Sequence, residues 1–133
     1  MKNTGEQGTW DDIQVFTAKG ARIGEPKVTI LETAQILFNA AFVHLADISK
    51  KTHVVLGYSA ANRAIIVQFT SDEQAPGALK IVKRSGGASV GTRSFFNFYF
   101  LKPRGLAGHY SPKKERIPRI GDAWVIMLDD RLH

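Results

Sequence analysis

The sequence contains no cysteine. That absence excludes a disulfide framework, a thiolate zinc site and a thiol nucleophile together. No apolar run approaches the roughly 20 residues that cross a bilayer. Residues 1–10 are polar and lack the apolar stretch of a signal peptide. These absences lead to the expectation of a cytoplasmic protein, without a membrane partner, whose first ten residues are flexible. Acidic residues are scarce in one part of the chain only. Residues 80–133 hold eleven Lys/Arg against four Asp/Glu, a balance of +7, whereas residues 1–79 hold seven against eight, a balance of −1. The net charge of +6 therefore sits almost wholly in the C-terminal part. Such asymmetry fits an anionic partner, most often nucleic acid. A solvated basic surface that aids solubility is the plain alternative.

What is present describes a globular chain. The 133 residues are 44% hydrophobic and 23% charged, ordinary for one folded domain. At this length roughly two-thirds of the unfolded surface is buried on folding, so a core forms without covalent staples. We expect a single domain over residues 11–133.

Strand signals dominate. Residues 11–17 carry Ile13, Val15 and Phe16 and suit a first strand. Residues 27–31 alternate, with Val28 and Ile30 on one side, and residues 35–38 form another short run. Asn39 is suited to cap a helix over residues 40–48, because its side chain can accept from the orphan amides of the first turn. Phe42, Leu45 and Ala46 would then share a face. The clearest signal is a β-hairpin: residues 52–59 and 63–71 are two β-branched, apolar runs joined by Ala60-Ala61-Asn62, with Asn62 suited to a left-handed position. Ala64 to Val67 is apolar on both faces, which predicts a strand covered on both sides. Residues 78–84 read as a further strand and residues 85–88 as a turn. Thr92 can cap a second helix over residues 93–101, with Phe95, Phe98 and Tyr99 toward the core and Phe96 and Phe100 on another face. Residues 102–121, with three prolines and three glycines, read as loop, broken by one strand near residues 108–111. Residues 123–128 form the last strand.

Familiar catalytic patterns fail one by one. The stretch Gly86-Gly87-Ala88-Ser89-Val90-Gly91 has the look of a phosphate loop, but it continues Thr92-Arg93 where a Lys-Ser/Thr pair must follow. It reads as a turn between strand and helix. His44, His53, His109 and His133 are scattered, with no helical i, i+4 pair to hold a metal. The carboxylate pairs Asp11-Asp12, Asp72-Glu73 and Asp129-Asp130 are neighbours that fall at loops or ends. No Gly-x-Ser-x-Gly elbow occurs. The pattern calls for no cofactor and no metal, and it favours a binding protein over an enzyme.

What remains is basic and aromatic. Lys80, Lys83 and Arg84 fall on or just after one strand, and the two-residue period puts Lys80 and Arg84 on one side. Arg93 precedes the aromatic run; Lys102 and Arg104 follow it. Lys113, Lys114, Arg116 and Arg119 crowd a late segment. Proteins that bind single-stranded nucleic acid join cations, which neutralise phosphates, to rings on which bases stack. Phe96, Phe100 and Tyr110 are the candidate stacking rings. The plain alternative keeps these rings in the core and the cations on a wet loop.

Three resemblances arise at this point. Gln35-Ile-Leu-Phe-Asn39, a short helix, Thr52-His-Val-Val-Leu-Gly-Tyr58, a turn and Arg63-Ala-Ile-Ile-Val-Gln-Phe69 resemble a layout found in small bacterial and phage proteins. There an acidic loop, a basic strand and a Ser/Thr-capped aromatic helix follow, as at residues 72–73, 79–84 and 92–101. That layout covers residues 27–101 and implies no particular activity. The same segment is similar to the AbrB-type swapped-hairpin DNA-binding regulators, although those have a Gly-Arg pair and a helix-opening Pro where this chain has Ala34-Gln35 and Asn39-Ala40. In element order and charge the chain is also similar to the Whirly and transcription-coactivator folds, which bind single-stranded DNA on curved antiparallel sheets. The latter two resemblances imply nucleic acid.

The expectation is an α+β domain: a curved antiparallel sheet of six to eight strands with two short helices. Its expected role is non-catalytic binding of nucleic acid, selecting single strands or backbone shape. Two alternatives stand beside it. One is a structural protein that forms a homodimer through strand edges or the aromatic helix. The other is a domain that binds a small ligand.

Overall fold

A computed structural model of the chain describes residue 12 and residues 24–132. The segment expected to be flexible, and all but residue 12 of the strand expected over 11–17, lie outside these residues.

The described residues form one antiparallel sheet of nine strands. In chain order these are β1 (Val28–Ile30), β2 (Gln35–Asn39), β3 (His53–Ser59), β4 (Ala64–Thr70), β5 (Leu79–Arg84), β6 (Gly87–Gly91), β7 (Gly108–Tyr110), β8 (Lys113–Ile117) and β9 (Gly121–Met127). In space they run β7-β1-β2-β6-β5-β3-β4-β9-β8. Three short helices, α1 (Ala40–Leu45), α2 (Arg93–Phe98) and α3 (Pro103–Leu106), and a 3-10 turn at Ile48–Lys50 connect them. The α+β class with a curved antiparallel sheet is as expected, with one helix and at least one strand more than the sequence announced. Among the described residues no helix is long and apolar enough to cross a membrane.

Alternation along the strands sets the core. In the β3–β4 hairpin Val54 pairs with Phe69, Leu56 with Val67 and Tyr58 with Ile65 on the inner face. Gly57 and Ile66, and Ser59 and Ala64, pair on the outer face. Inside, Phe38, Phe42, Phe69 and Trp124 meet edge to face at centroid distances from 4.9 to 5.8 Å. Each such pair is worth about 0.5–1.5 kcal/mol beyond its burial. Val28, Ile30, Ile36, Ile65 and Ile126 complete the buried centre.

The curl of the sheet follows from a short strap. After β9 the backbone amide of Leu132 donates to the carbonyl of His109 in β7 at 2.8 Å. In the strand order β7 and β9 are seven places apart. Seven spacings in a flat sheet would separate them by roughly 34 Å. The five residues from Met127 to Leu132 reach at most about 18 Å. The sheet must therefore roll until β9's continuation meets β7. Arg131 fastens the join, donating to the carbonyls of Ala107 at 2.8 Å and Gly105 at 3.4 Å. Beyond β9 only β8 remains, and among the described residues its outer side is the open edge.

Several expectations need correction. Residues 87–91, read as part of a turn into a helix, form β6 between β2 and β5. Gly87 has φ +150°, and a Cβ there would collide with the carbonyl oxygen of Phe38, so close strand packing demands glycine. Lys113–Ile117, read as loop, is β8, paired with β9 from Lys113↔Val125 to Ile117↔Gly121. Its charges fit an edge, where lysines blunt unpaired backbone. In the β3–β4 turn the left-handed residue is Arg63 (φ 49°), not Asn62. The backbone amide and side-chain amide of Asn62 both donate to Ser59 Oγ. Helix α1 is shorter than residues 40–48, and Leu45 is exposed while Phe42 is fully buried. Asn39 does cap it, accepting from the Phe42 and Lys27 amides at 3.0 and 2.9 Å.

Candidate functional site

The thirteen residues singled out in the sequence divide into three regions. Lys80, Lys83 and Arg84 lie on β5; Arg93, Phe96, Phe100, Lys102 and Arg104 lie on or around α2; Tyr110 ends β7, and Lys113, Lys114, Arg116 and Arg119 lie on β8 and its turn. Strands β5 and β8 are four places apart in the sheet, or roughly 19 Å if flat. The two cation-bearing strands are therefore not neighbours in the sheet.

On β5, Lys80, Val82 and Arg84 are all exposed on the outer face, as the two-residue period requires. Arg84 Nε donates to the buried Ser89 Oγ at 3.1 Å, and Lys83 Nζ donates to the Ser49 carbonyl at 2.7 Å. Both heads are partly committed to the fold. On β8, Arg116 pairs with Asp122 at 3.2 Å, and both are well exposed; pairs of that kind contribute about 0–1 kcal/mol. Lys113 and Lys114 are exposed and point to opposite faces of the strand.

Helix α2 places the rings. Thr92 does not cap it as expected: its Oγ1 donates to the Ala34 carbonyl at 2.8 Å, and its own amide donates to the same oxygen at 2.9 Å. Thr92 thus anchors the helix start to the β1–β2 turn, completely buried. The helix ends early. The Leu101 amide donates to the Phe96 carbonyl at 2.8 Å and the Phe100 amide to the Asn97 carbonyl at 3.2 Å. Those two bonds form a Schellman motif, with Phe100 at the left-handed position (φ 57°) that glycine usually fills. Pro103 follows closely, where a helix cannot continue.

This short helix docks by its first turn, so the facing of the rings differs from expectation. Phe95 and Phe96 are buried, Phe96 at 0% exposure. Phe98, expected in the core, is 73% exposed, and Phe100 is 90% exposed. Phe96 is therefore a core residue and not a stacking ring. Tyr110 is also a core residue, at 1% exposure, with its hydroxyl donating to the Leu106 carbonyl at 2.6 Å. Burial holds the Tyr110 phenol above its usual pKa, against the opposing pull of Arg131 and Arg63. The Arg63 guanidinium is also held more firmly protonated, chiefly by its 2.9 Å hydrogen bond to Asp129 and then by that charge.

Arg93 opens α2 and donates to the Thr33 carbonyl at 3.3 Å, and after Phe100 the chain continues through Lys102 to Arg104, whose guanidinium is 3.9 Å from Glu32. Phe98 also borders a cavity of about 360 Å³ between α2 and the start of β5, lined by Leu56, Leu79 and Phe95. Tyr99 lines that cavity and a second, larger one of about 550 Å³ over β3, β4, β8 and β9. The rings of Tyr58 and Tyr99, 5.4 Å apart, wall the larger cavity. Sequence reasoning missed Phe98, Tyr58 and Tyr99. Pro103 was the one available signal for Phe98, because it shortens the helix and so changes which rings reach the core.

Among the described residues no cluster of three or more His, Asp or Glu lies together. Comparison with protein-family models, curated proteins and solved structures yields no match for this chain.

Proposed function

We propose that this protein binds single-stranded nucleic acid without transforming it, using the exposed end of α2 as a stacking platform. The observation that carries the reading is Phe100. It holds a left-handed backbone conformation at 90% exposure. A bulky residue there costs about 1–2 kcal/mol relative to glycine, and the ring recovers almost nothing by burial. Folding alone gives no reason for a phenylalanine at this position, and unfavourable backbone kept at a surface suggests that the side chain is used. Phe98 stands two residues away and is also exposed, and Arg93, Lys102 and Arg104, close in sequence, supply charge for phosphates. Aromatic rings beside cations are what sequence-tolerant strand binding requires.

Fluorescence anisotropy with labelled oligothymidylate and a matched duplex, at low and near-physiological salt, tests it. Salt-sensitive binding that prefers the single strand and weakens on Phe98→Ala and Phe100→Ala is expected. Absence of binding at low salt, where charge alone suffices, refutes it.

A further inference from the structure

Gly57 lies in the middle of β3, opposite Ile66 on the outer face of the sheet. Its φ is not positive, and a Cβ built there meets only the Ile66 Cβ, at 3.6 Å, an ordinary contact. Neither the backbone nor the packing requires glycine, which weakens a strand interior and often marks a close approach by a ligand. What glycine does here is leave the floor of the 550 Å³ cavity low. That volume is within the usual range for small-molecule sites, about 300–1,000 Å³. Ile66 and Met127 give it an apolar floor, the Tyr58–Tyr99 pair an aromatic wall, and Asn62 and Lys113 a polar rim.

We propose that this cavity takes one unstacked base of a bound single strand. The inference rests on the strand-binding reading above. Tyr99 touches both the α2 platform and the cavity, so a strand stacked on Phe98 can deliver its next base over Gly57. The base lies against the tyrosine rings, its edge meets the Asn62 amide, and Lys113 accompanies a neighbouring phosphate. Unstacked bases held between aromatic rings and read along their edges by amides are a general solution for single strands.

The test combines methyl NMR of Ile66 and Met127 with anisotropy of a cavity-filling variant, Gly57→Leu. Oligothymidylate is expected to shift both methyl groups, and an abasic oligomer of equal length to leave them in place. Gly57→Leu is expected to melt no lower than the parent and to lose about 5- to 160-fold in affinity, the range of one base-stacking contact. If oligothymidylate binds while the methyl signals stay still, or if the abasic strand moves them equally, this inference falls and strand binding stands. If the oligomer does not bind at all, both fall. The methyl shifts decide the matter in the parent protein even if Gly57→Leu fails to fold.

Discussion

Replacing Phe100 by glycine should make the protein more stable and, on the proposed function, a weaker binder. Phe100 occupies the left-handed residue of the Schellman motif that ends α2. Relief of the Cβ clash returns about 1–2 kcal/mol. Glycine also frees the unfolded chain, which takes back about 0.4–1 kcal/mol. The exposed ring forfeits little burial, so the net gain is roughly 0.5–1 kcal/mol, or about 2–5 °C in Tm for a domain of this size. Phe100→Ala keeps the Cβ and should leave Tm within about 2 °C, since surface changes generally stay within about ±0.5 kcal/mol. Both variants remove the ring, so both should lose about 1–3 kcal/mol of affinity for oligothymidylate. Thermal melting followed by circular dichroism, paired with anisotropy titration, reads the two effects separately. A glycine variant no more stable than the alanine variant would refute the assignment of backbone strain. Unchanged affinity in both would refute the platform.

Other outcomes follow from the same geometry. Asn39→Ala removes the cap of α1 and the tie to Lys27, and should cost about 0.5–2 kcal/mol in urea denaturation. Tyr110 has a raised pKa in the folded state, so it stays protonated where an unfolded tyrosine ionises, near pH 10. Stability should therefore be level below that pH and decline as pH rises through it. Tyr110→Phe should flatten that alkaline decline, at a cost of about 0.5–1.5 kcal/mol for the lost bond to Leu106; a pH series of melts reads both. If Lys113 and Lys114 contact phosphates, reversing both to Glu should lower the slope of log affinity against log salt by about 0.7 for each lost contact. An unchanged slope would remove β8 from the binding surface.

The parts of the fold legible in the sequence are those where apolar residues alternate against polar ones. The β3–β4 hairpin was visible because Val54, Leu56, Ile65 and Val67 keep step with the pleat. Strand β6 was hidden because Gly87, Ala88 and Ser89 carry almost no hydrophobic signal; its place is secured by Phe38 passing over Gly87. Strand β8 was hidden because an edge needs charge more than apolar surface. The cations of the site were equally plain, but their grouping was not. Sheet order separates β5 from β8, and no local pattern encodes which strands become neighbours. The rings were misassigned for a similar reason. Helical period alone puts Phe95 with Phe98, whereas the early stop of α2 turns Leu101 back toward Phe96 and leaves Phe98 outside.

The open edge at β8 also bears on self-association. Two copies joined there antiparallel about Glu115 would face Glu115 with Glu115, and Lys114 with Arg116 twice over. Each opposed pair carries like charge, which destabilises cross-strand neighbours. A shift of one residue turns the outward face of one strand against the inward face of the other, whereas centring the pair on Lys114 opposes Lys113 with Glu115 twice and Lys114 with its own copy. The sequence Lys113-Lys114-Glu115-Arg116 thus selects against the self-pairing centred on Glu115, and its three cations to one carboxylate favour an acidic strand at that edge.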